Sequence, residues 1–301
     1  MKVVRKSVII TTHVVMILGA ILMLYPFVFA ILGTMTTAED LIRSGSILPV
    51  PNHPLNLFTN LRNIFRQEGI AVSILLTLGR FAWYAFILSA TSVLGGYAFA
   101  KIRFKGKKIA FYVLMSSMMI PGIAMLIPQY KMLMGFPLVG GNDIHGMGGF
   151  GFRDNPAVLF ILGWFSAYNI FLVRQMLSGI GNEYKEAAEI DGAGFLRIVF
   201  SIYMPMLTPV IALIVIQTFI GQWNDYLFPT IFLGSTRELW PIGVLSVKIQ
   251  SSLMYDVRGG GIANYPMALA MGVVMMIPPV VVFIAFQKYF VQGLTLGGVK
   301  S

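Results

Sequence analysis

The stretch EYKEAAEIDGAGFLRIVFSIYMPML, residues 183–207, places four carboxylates within nine residues of a chain that is otherwise strongly apolar. Residues 183–190 favour a helix, and Gly192 and Gly194 end it. An apolar pattern then resumes, and Pro205 marks the point where the chain turns into the next apolar run. The stretch therefore predicts a helix, a glycine turn and a second helix that lie on the face of a membrane rather than within it.

The predicted helix has two different sides. At about 100° per residue, Tyr184, Ala187 and Ala188 share one arc, and the glutamates occupy roughly the opposite arc. Small alanines allow another surface to approach closely, and carboxylates accept hydrogen bonds from basic partners. A docking helix and a plain connector kept in water by its acids both fit this pattern.

The composition around this stretch excludes several classes of protein. Of 301 residues, 57% are hydrophobic and only 11% are charged, whereas soluble domains carry about 25% charged residues. Cysteine is absent and the three histidines are far apart in sequence, so we expect neither a disulfide framework nor a metal site. The net charge of +10 does not predict nucleic-acid binding, because the basic residues lie between apolar runs rather than on a polar face.

Runs without charged residues predict an all-α, polytopic membrane protein with six transmembrane helices, because about 20 apolar residues cross a bilayer. The predicted spans are residues 8–33, 71–100, 108–133, 156–178, 206–233 and 266–291.

Basic residues predict the orientation of these spans. The run KIRFKGKK, residues 101–108, carries five basic residues and no acid, and the N-terminus is also basic. By the positive-inside rule, both termini and residues 180–205 lie in the cytoplasm. The outer segments are then residues near 34–70, 134–155 and 234–265.

The spacing inside the opening stretch is specific. Glu186, Ala187 and Ala188 are followed after three residues by Gly192, and after nine more by IYMP, residues 202–205. This pattern resembles the EAA loop of ATP-binding-cassette importer permeases, with Met204 where leucine is usual, a volume-conserving exchange. The segments GGYAFAKIRFKGKK, GQWNDYLFPTIFL and FVQGLTLGGVKS are similar to carbohydrate-importer permeases, above all to the second permease of maltose-type systems.

The resemblance implies one permease domain, residues 1–301, with the type I fold of binding-protein-dependent importers. It implies that a cytoplasmic coupling loop, residues 180–205, docks on an ATPase subunit through Glu186, Ala187, Ala188, Asp191, Gly192, Ile202 and Pro205. It also implies that a C-terminal tail, residues 292–301, enters the ATPase interface through Gln292, Gly293, Thr295 and Gly297.

The implied partners are a second homologous permease, two ATP-binding subunits, an extracytoplasmic solute-binding protein and the lipid bilayer. The chain has no G-x-x-x-x-G-K-[ST] phosphate loop, so ATP and Mg²⁺ are expected in the partner subunits and no cofactor in this chain.

A polar group on the fifth predicted span is a candidate for the sugar path, with Trp223, Asn224, Asp225 and Tyr226 offering a stacking face and hydrogen-bonding groups. Charges inside membranes often mark function. The alternative is an interfacial aromatic belt in which Asp225 pairs with a neighbouring helix, with Arg80 as one possible partner.

The sequence thus predicts a non-catalytic permease subunit of an ATP-driven importer of mono- or oligosaccharides in the inner (plasma) membrane of a prokaryote. One alternative is a permease of the same class for another solute, such as a polyol or glycerol phosphate. The others are an ion-coupled carrier, which would need ionisable groups at mid-membrane, and a membrane enzyme, which would need a cluster of His, Asp or Glu.

Overall fold

A computed structural model of the chain describes residues 2–234, 236–255 and 263–298, and it describes side chains except those of residues 2–7, 255 and 289–298. Throughout this described part the chain forms helices and loops and no strand. The chain divides into two compact units, one of residues 1–70 and 246–278 and the other of residues 71–245 and 279–301.

The first unit begins with three helices, which are α1 (Lys2–Thr34), α2 (Ala38–Arg43) and α3 (Asn56–Phe65). The Thr37 side chain accepts a hydrogen bond from the backbone N–H of Asp40 and so caps the start of α2, as N-terminal N–H groups require. The amide of Asn60 on α3 donates to the carbonyl of Thr34 at 3.0 Å. This bond uses a carbonyl at the end of α1 that has no partner within its own helix.

The second unit holds most of the remaining helices. They are α4 (Ile70–Lys101), α5 (Lys107–Ser116), α6 (Leu126–Met134), α7 (Val158–Ile161), α8 (Ala167–Gly179), α9 (Glu183–Ile190), α10 (Phe195–Arg197), α11 (Met204–Met206), α12 (Thr208–Trp223) and α13 (Leu227–Phe232). Short 3₁₀ turns occupy Ser117–Met119, Gly122–Met125 and Arg237–Leu239, and a π-helix occupies Ile198–Tyr203.

Two further helices, α14 (Ile242–Tyr255) and α15 (Tyr265–Gly298), follow. Helix α14 lies within the segment of residues 234–265, between the predicted fifth and sixth spans. Its first turns bury Ile242, Val244 and Leu245, and burial of apolar side chains stabilises a helix that is too short to register as a bilayer span. Helix α15 extends beyond the predicted end of the sixth span.

The spans are less continuous than the apolar runs suggest. Among the described residues, three helical stretches are long and apolar enough to cross a bilayer, namely Val8–Thr34, Ile70–Lys101 and Tyr265–Lys288. Two bent pairs would bring the number to five: Lys107–Met119 with Gly122–Met134, bent by 92°, and Phe195–Met206 with Thr208–Trp223, bent by 81°. The predicted fourth span is divided into α7 and α8, so the six-span count remains a prediction.

Proline accounts for the sharper of these bends. Pro121 has no N–H to donate and disfavours helical backbone at Ile120, which is extended, with φ −83° and ψ 116°. At this proline the helical structure is fully broken between Ser117–Met119 and Gly122–Met125.

The outer segment of residues 135–155 is an ordered loop. Asn142, which is 7% exposed, donates to the carbonyls of Met134 at 2.7 Å and Phe136 at 2.9 Å and accepts from the N–H of Gly149 at 2.9 Å. A methyl group on Gly140 would overlap the backbone of Gly151, so two segments of the loop backbone touch at a point where only glycine fits.

Candidate functional site

The predicted coupling loop, residues 180–205, contains the expected helix, since α9 covers Glu183–Ile190. Asp191 is its C-cap, and Gly192 follows in the left-handed region with φ +72°, the conformation that glycine tolerates best at a helix end. The N–H of Ala193 closes the turn on the carbonyl of Ala188 at 2.9 Å. The prediction of a helix followed by a glycine turn is confirmed.

The chain after the turn re-enters helical structure in an unusual form. It passes through α10, the π-helix and α11 before the 81° bend into α12. Ile202 is partly buried against the hydrophobic core, and Pro205 is exposed within the first turn of α11. Single π-helical turns are rare and occur frequently at functional sites.

The two alanines of α9 have different surroundings. Ala188 is 6% exposed and packs in a core with Val173, Val199 and Tyr203. Ala187 is exposed, so of the two alanines only Ala188 packs closely against the interior of the protein. Ala188 fixes α9 to the rest of the unit, and Ala187 belongs to the surface that the helix shows outward.

The outward surface of this segment mixes apolar and acidic groups. Ile190 is 86% exposed and Leu196 62% exposed, and Tyr184 and Phe195 are about half exposed. Glu186 is exposed beside them. Exposed apolar residues next to charges are typical of protein interaction sites, and this surface suits a partner with an apolar groove and basic residues at its rim.

Helix α4 supports the segment from inside. Tyr97, buried in α4, meets the rings of Phe195 and Tyr203 edge-on, each with a centroid distance of 5.5 Å. Tyr203 is fully buried. We did not predict either tyrosine as a functional residue, because an isolated aromatic in an apolar run carries no signal of its partner.

A second polar site joins α4 to the break between α12 and α13. The guanidinium of Arg80 donates to the carboxylate of Asp225 at 2.8 Å, and the two side chains are 3% and 23% exposed. Asp225 lies in the non-helical residues between the two helices. A Cβ on Gly243 would lie 2.6 Å from the carbonyl oxygen of Asp225, so glycine permits this close backbone approach. The alternative pairing of Asp225 with Arg80 is confirmed.

The same face of α4 supplies donors to the break between α7 and α8. Tyr84 donates to the carbonyl of Leu162 at 2.5 Å, and Thr91 donates to that of Trp164 at 2.8 Å. Arg80 itself reaches the carbonyl of Leu159 through Nε at 3.4 Å. Backbone groups freed by a helix break must find partners where water is excluded, and side chains of α4 provide them.

The other residues of the proposed sugar path have separate surroundings. Trp223 is 3% exposed and stacks on Phe219 with a centroid distance of 5.6 Å. Asn224 is exposed and donates to the carbonyl of Ile220 at 2.9 Å, and Tyr226 is half-buried. In this conformation the tryptophan ring packs in the core, and a role in the sugar path stays a prediction.

The tail residues Gln292, Gly293, Thr295 and Gly297 have helical backbone within α15, and their side chains lie outside the described residues. In the part of the chain that the structure describes, no three His, Asp or Glu side chains form a group that could hold a metal ion.

The chain is similar in sequence to known transport permeases and matches one family model. Residues 92–296 match the family model described as "Binding-protein-dependent transport system inner membrane component". The chain is 28% identical over 287 residues to the arabinooligosaccharides transport system permease protein AraQ of Bacillus subtilis, covering 94% of this chain and 92% of that protein. It is 30% identical over 245 residues to the melibiose/raffinose/stachyose import permease protein MelC of the same organism, covering 81% of each.

A solved structure shares the fold. It is the crystal structure of a bacterial ABC transporter involved in the import of the acidic polysaccharide alginate, with a TM-score of 0.75, 21% identity, and coverage of 95% of this chain and 97% of that chain. The family model spans more than half of the chain and includes the coupling segment, the broken helices and the last ten residues of α4. The chain therefore belongs to the family of binding-protein-dependent transport system inner membrane components.

Proposed function

We propose that this chain is a permease subunit of an ATP-driven, binding-protein-dependent importer of mono- or oligosaccharides in a prokaryotic inner membrane. The observation that carries the proposal is the coupling segment, where the EAA spacing coincides with a short helix whose outward surface is apolar and acidic. The printed substrates of AraQ and MelC support a sugar as the transported solute.

The proposed partners follow from this role. A second permease completes the translocation path, two ATPase subunits bind ATP and Mg²⁺, and a solute-binding protein delivers the sugar outside. Closure of the ATPase pair moves α9, and its packing through Ala188 passes this movement to the transmembrane helices. No bond of the sugar is made or broken by this chain.

Asn224, Asp225 and Tyr226 are proposed to border the path. They lie at the break between α12 and α13, and breaks of this kind recur at binding sites of transporters. Tail residues Gln292, Gly293, Thr295 and Gly297 are proposed, by resemblance, to reach the ATPase interface.

Copurification with the ATPase subunits tests the docking surface. Ile190→Asp introduces a charge at the most exposed apolar residue of α9. Because this side chain is 86% exposed, we expect the substitution to leave folding unaffected. We expect recovery of the ATPase subunit to fall, with an affinity loss of about 30-fold if Ile190 is an interface hot spot. Lys105→Asp, an exposed site on the neighbouring cytoplasmic turn, serves as the control and keeps the subunit bound. Full recovery with Ile190→Asp contradicts the docking role.

Ligand binding by the cognate solute-binding protein tests the solute class. Arabinotriose and raffinose are the sugar probes, and glycerol 3-phosphate is the probe for the alternative class of solute. Retention of a sugar supports the proposal, and retention of glycerol 3-phosphate alone assigns the chain to the alternative.

A further inference from the structure

Lys101, the last residue of α4, sends its side chain away from its own helix and into the joint between α8 and α9. Its Nζ donates to the carbonyl of Ile180 at 2.5 Å, to the carbonyl of Gly181 at 3.2 Å and to Oδ1 of Asn182 at 3.0 Å. A lysine ammonium has three protons. The three acceptors belong to three consecutive residues, and together they can take up all three protons of the Lys101 ammonium group.

The three acceptors of Lys101 all lie in the connection between α8 and α9. Helix α8 ends at Gly179 with Ile180 as its C-cap, and α9 begins at Glu183 with Asn182 as its N-cap. Residues 180–182 are thus the whole connection between the two helices. Carbonyls at the end of a helix lack partners within it and attract cations, so the ammonium group fastens this connection to the end of α4.

A second contact joins Lys101 to the other side of the coupling segment. Its Nζ lies 5.6 Å from the ring centroid of Tyr203, within the range of a cation–π interaction. Tyr203 packs edge-on against Tyr97, which is one helical turn before Lys101 on α4. The last turn of α4 therefore holds the chain both before and after α9.

The neighbouring basic residues do not share this arrangement. Lys107 donates to the carbonyls of Ala100 and Ile102 and closes the end of α4. Arg103, Lys105 and Lys108 have exposed side chains. Within the basic run, Lys101 is the residue that reaches the coupling segment.

We propose that Lys101 is a positioning residue that ties α9 rigidly to transmembrane helix α4, so that displacement of α9 by the ATPase moves α4 with it. The inference rests on the proposed function, because it requires that the ATPase displaces α9. Without the ammonium group, α9 stays docked on the ATPase and is held to α4 only by its apolar contacts. Movement of α9 is then passed on incompletely.

A distance measurement between α9 and α4 tests this inference in the assembled importer. The chain has no cysteine, so Glu189→Cys and Leu75→Cys, both exposed, accept spin labels cleanly when the partner subunits are also free of cysteine. Distances are measured without nucleotide and with ATP and vanadate. Copurification checks that labelling at Glu189 leaves the ATPase bound.

With Lys101 present we expect one narrow distance distribution of equal width in both states. In Lys101→Met we expect a broader distribution whose mean shifts between the states, while ATP hydrolysis continues. Lys101→Arg restores the narrow distribution because its guanidinium also donates to carbonyls, and Lys105→Met, an equal loss of charge, leaves it unchanged. A narrow, unshifted distribution in Lys101→Met overturns the inference.

Asn182→Ala keeps the test decisive if Lys101→Met does not assemble, because it removes one acceptor at an exposed position. We expect a partial broadening in this variant, and an unchanged distribution overturns the inference. Failure of the unaltered importer to hydrolyse ATP in response to its binding protein refutes the proposed function instead, so the two failures are distinguishable.

Discussion

Replacing Asp225 by asparagine removes the charge that balances Arg80 while nearly preserving side-chain volume. Arg80 is 2% exposed and its remaining bond, from Nε to the carbonyl of Leu159, is long at 3.4 Å. Loss of one partner from a buried ion pair costs about 3–5 kcal/mol. Since the Asp225 side chain is 23% exposed, water already weakens the pair, and we expect the lower end of this range, about 3 kcal/mol.

The reciprocal change has a smaller expected effect. Arg80→Met leaves Asp225 without its cation, but water reaches that carboxylate, so we expect a loss of about 1–2 kcal/mol. The double variant with Arg80→Met and Asp225→Leu replaces the pair by apolar groups and is expected to be more stable than Asp225→Asn alone. The order of stability is therefore native, Arg80→Met, then Asp225→Asn.

Thermal unfolding of the purified chain in detergent measures this order. A loss of about 3 kcal/mol corresponds to a fall in the midpoint temperature of about 6–12 °C for a domain of this size. A fall for Arg80→Met equal to or larger than that for Asp225→Asn refutes the reasoning. So does a double variant that unfolds below Asp225→Asn, because the buried unpaired cation would then not be the cause.

Three further predictions concern the packing of the coupling segment and the hydrogen bonds of the loop of residues 135–155. Tyr203→Phe removes a buried hydroxyl that has no hydrogen-bond partner among the described residues, so the midpoint temperature of unfolding should stay the same or rise. Tyr203→Ala should lower the free energy of unfolding by about 3–5 kcal/mol. Equal losses of stability in the two variants would contradict this. Ala188→Leu overpacks the core and should cost about 1–3 kcal/mol, while Ala187→Leu should leave the unfolding midpoint unchanged because its site is exposed. Asn142→Ala removes three hydrogen bonds, so amide exchange of residues 135–152 should accelerate by an amount equivalent to about 2 kcal/mol, and unchanged exchange refutes a central role for this side chain.

Local chemistry explains the part of the structure that the sequence predicts well. The bounds of α9 and the turn at Gly192 depend on neighbouring residues alone, namely a polar helix-forming run and a glycine that accepts a positive φ. The apolar runs likewise predict α1, most of α4 and most of α15, because bilayer thickness imposes a minimum length.

The missed features depend on residues that are distant in sequence. The break between α7 and α8 lies within an uncharged run, and it is stabilised by donors on α4 that are more than 70 residues away. The role of Lys101 is hidden for the same reason, because its acceptors at residues 180–182 lie about 80 positions further along. In the sequence, this lysine contributes only to the positive-inside count that predicts the orientation of the spans.

The sequence pattern likewise does not predict which of the two alanines of α9 is buried. A helical projection places Ala187 and Ala188 on one arc, and only packing against α8 and the π-helix decides which one is buried. The burial of Trp223 has the same origin, because an aromatic residue beside polar groups is as suitable for a core as for a sugar site.

ATP-dependent sugar uptake by reconstituted liposomes tests the central claim most directly. Liposomes hold this chain with its partner permease and ATPase subunits, the binding protein and radiolabelled sugar are outside, and ATP is inside. We predict uptake that requires both ATP and the binding protein, and that Ile190→Asp reduces to the level seen without ATP. Uptake by this chain alone, driven by a proton or sodium gradient without ATPase subunits, would contradict the account.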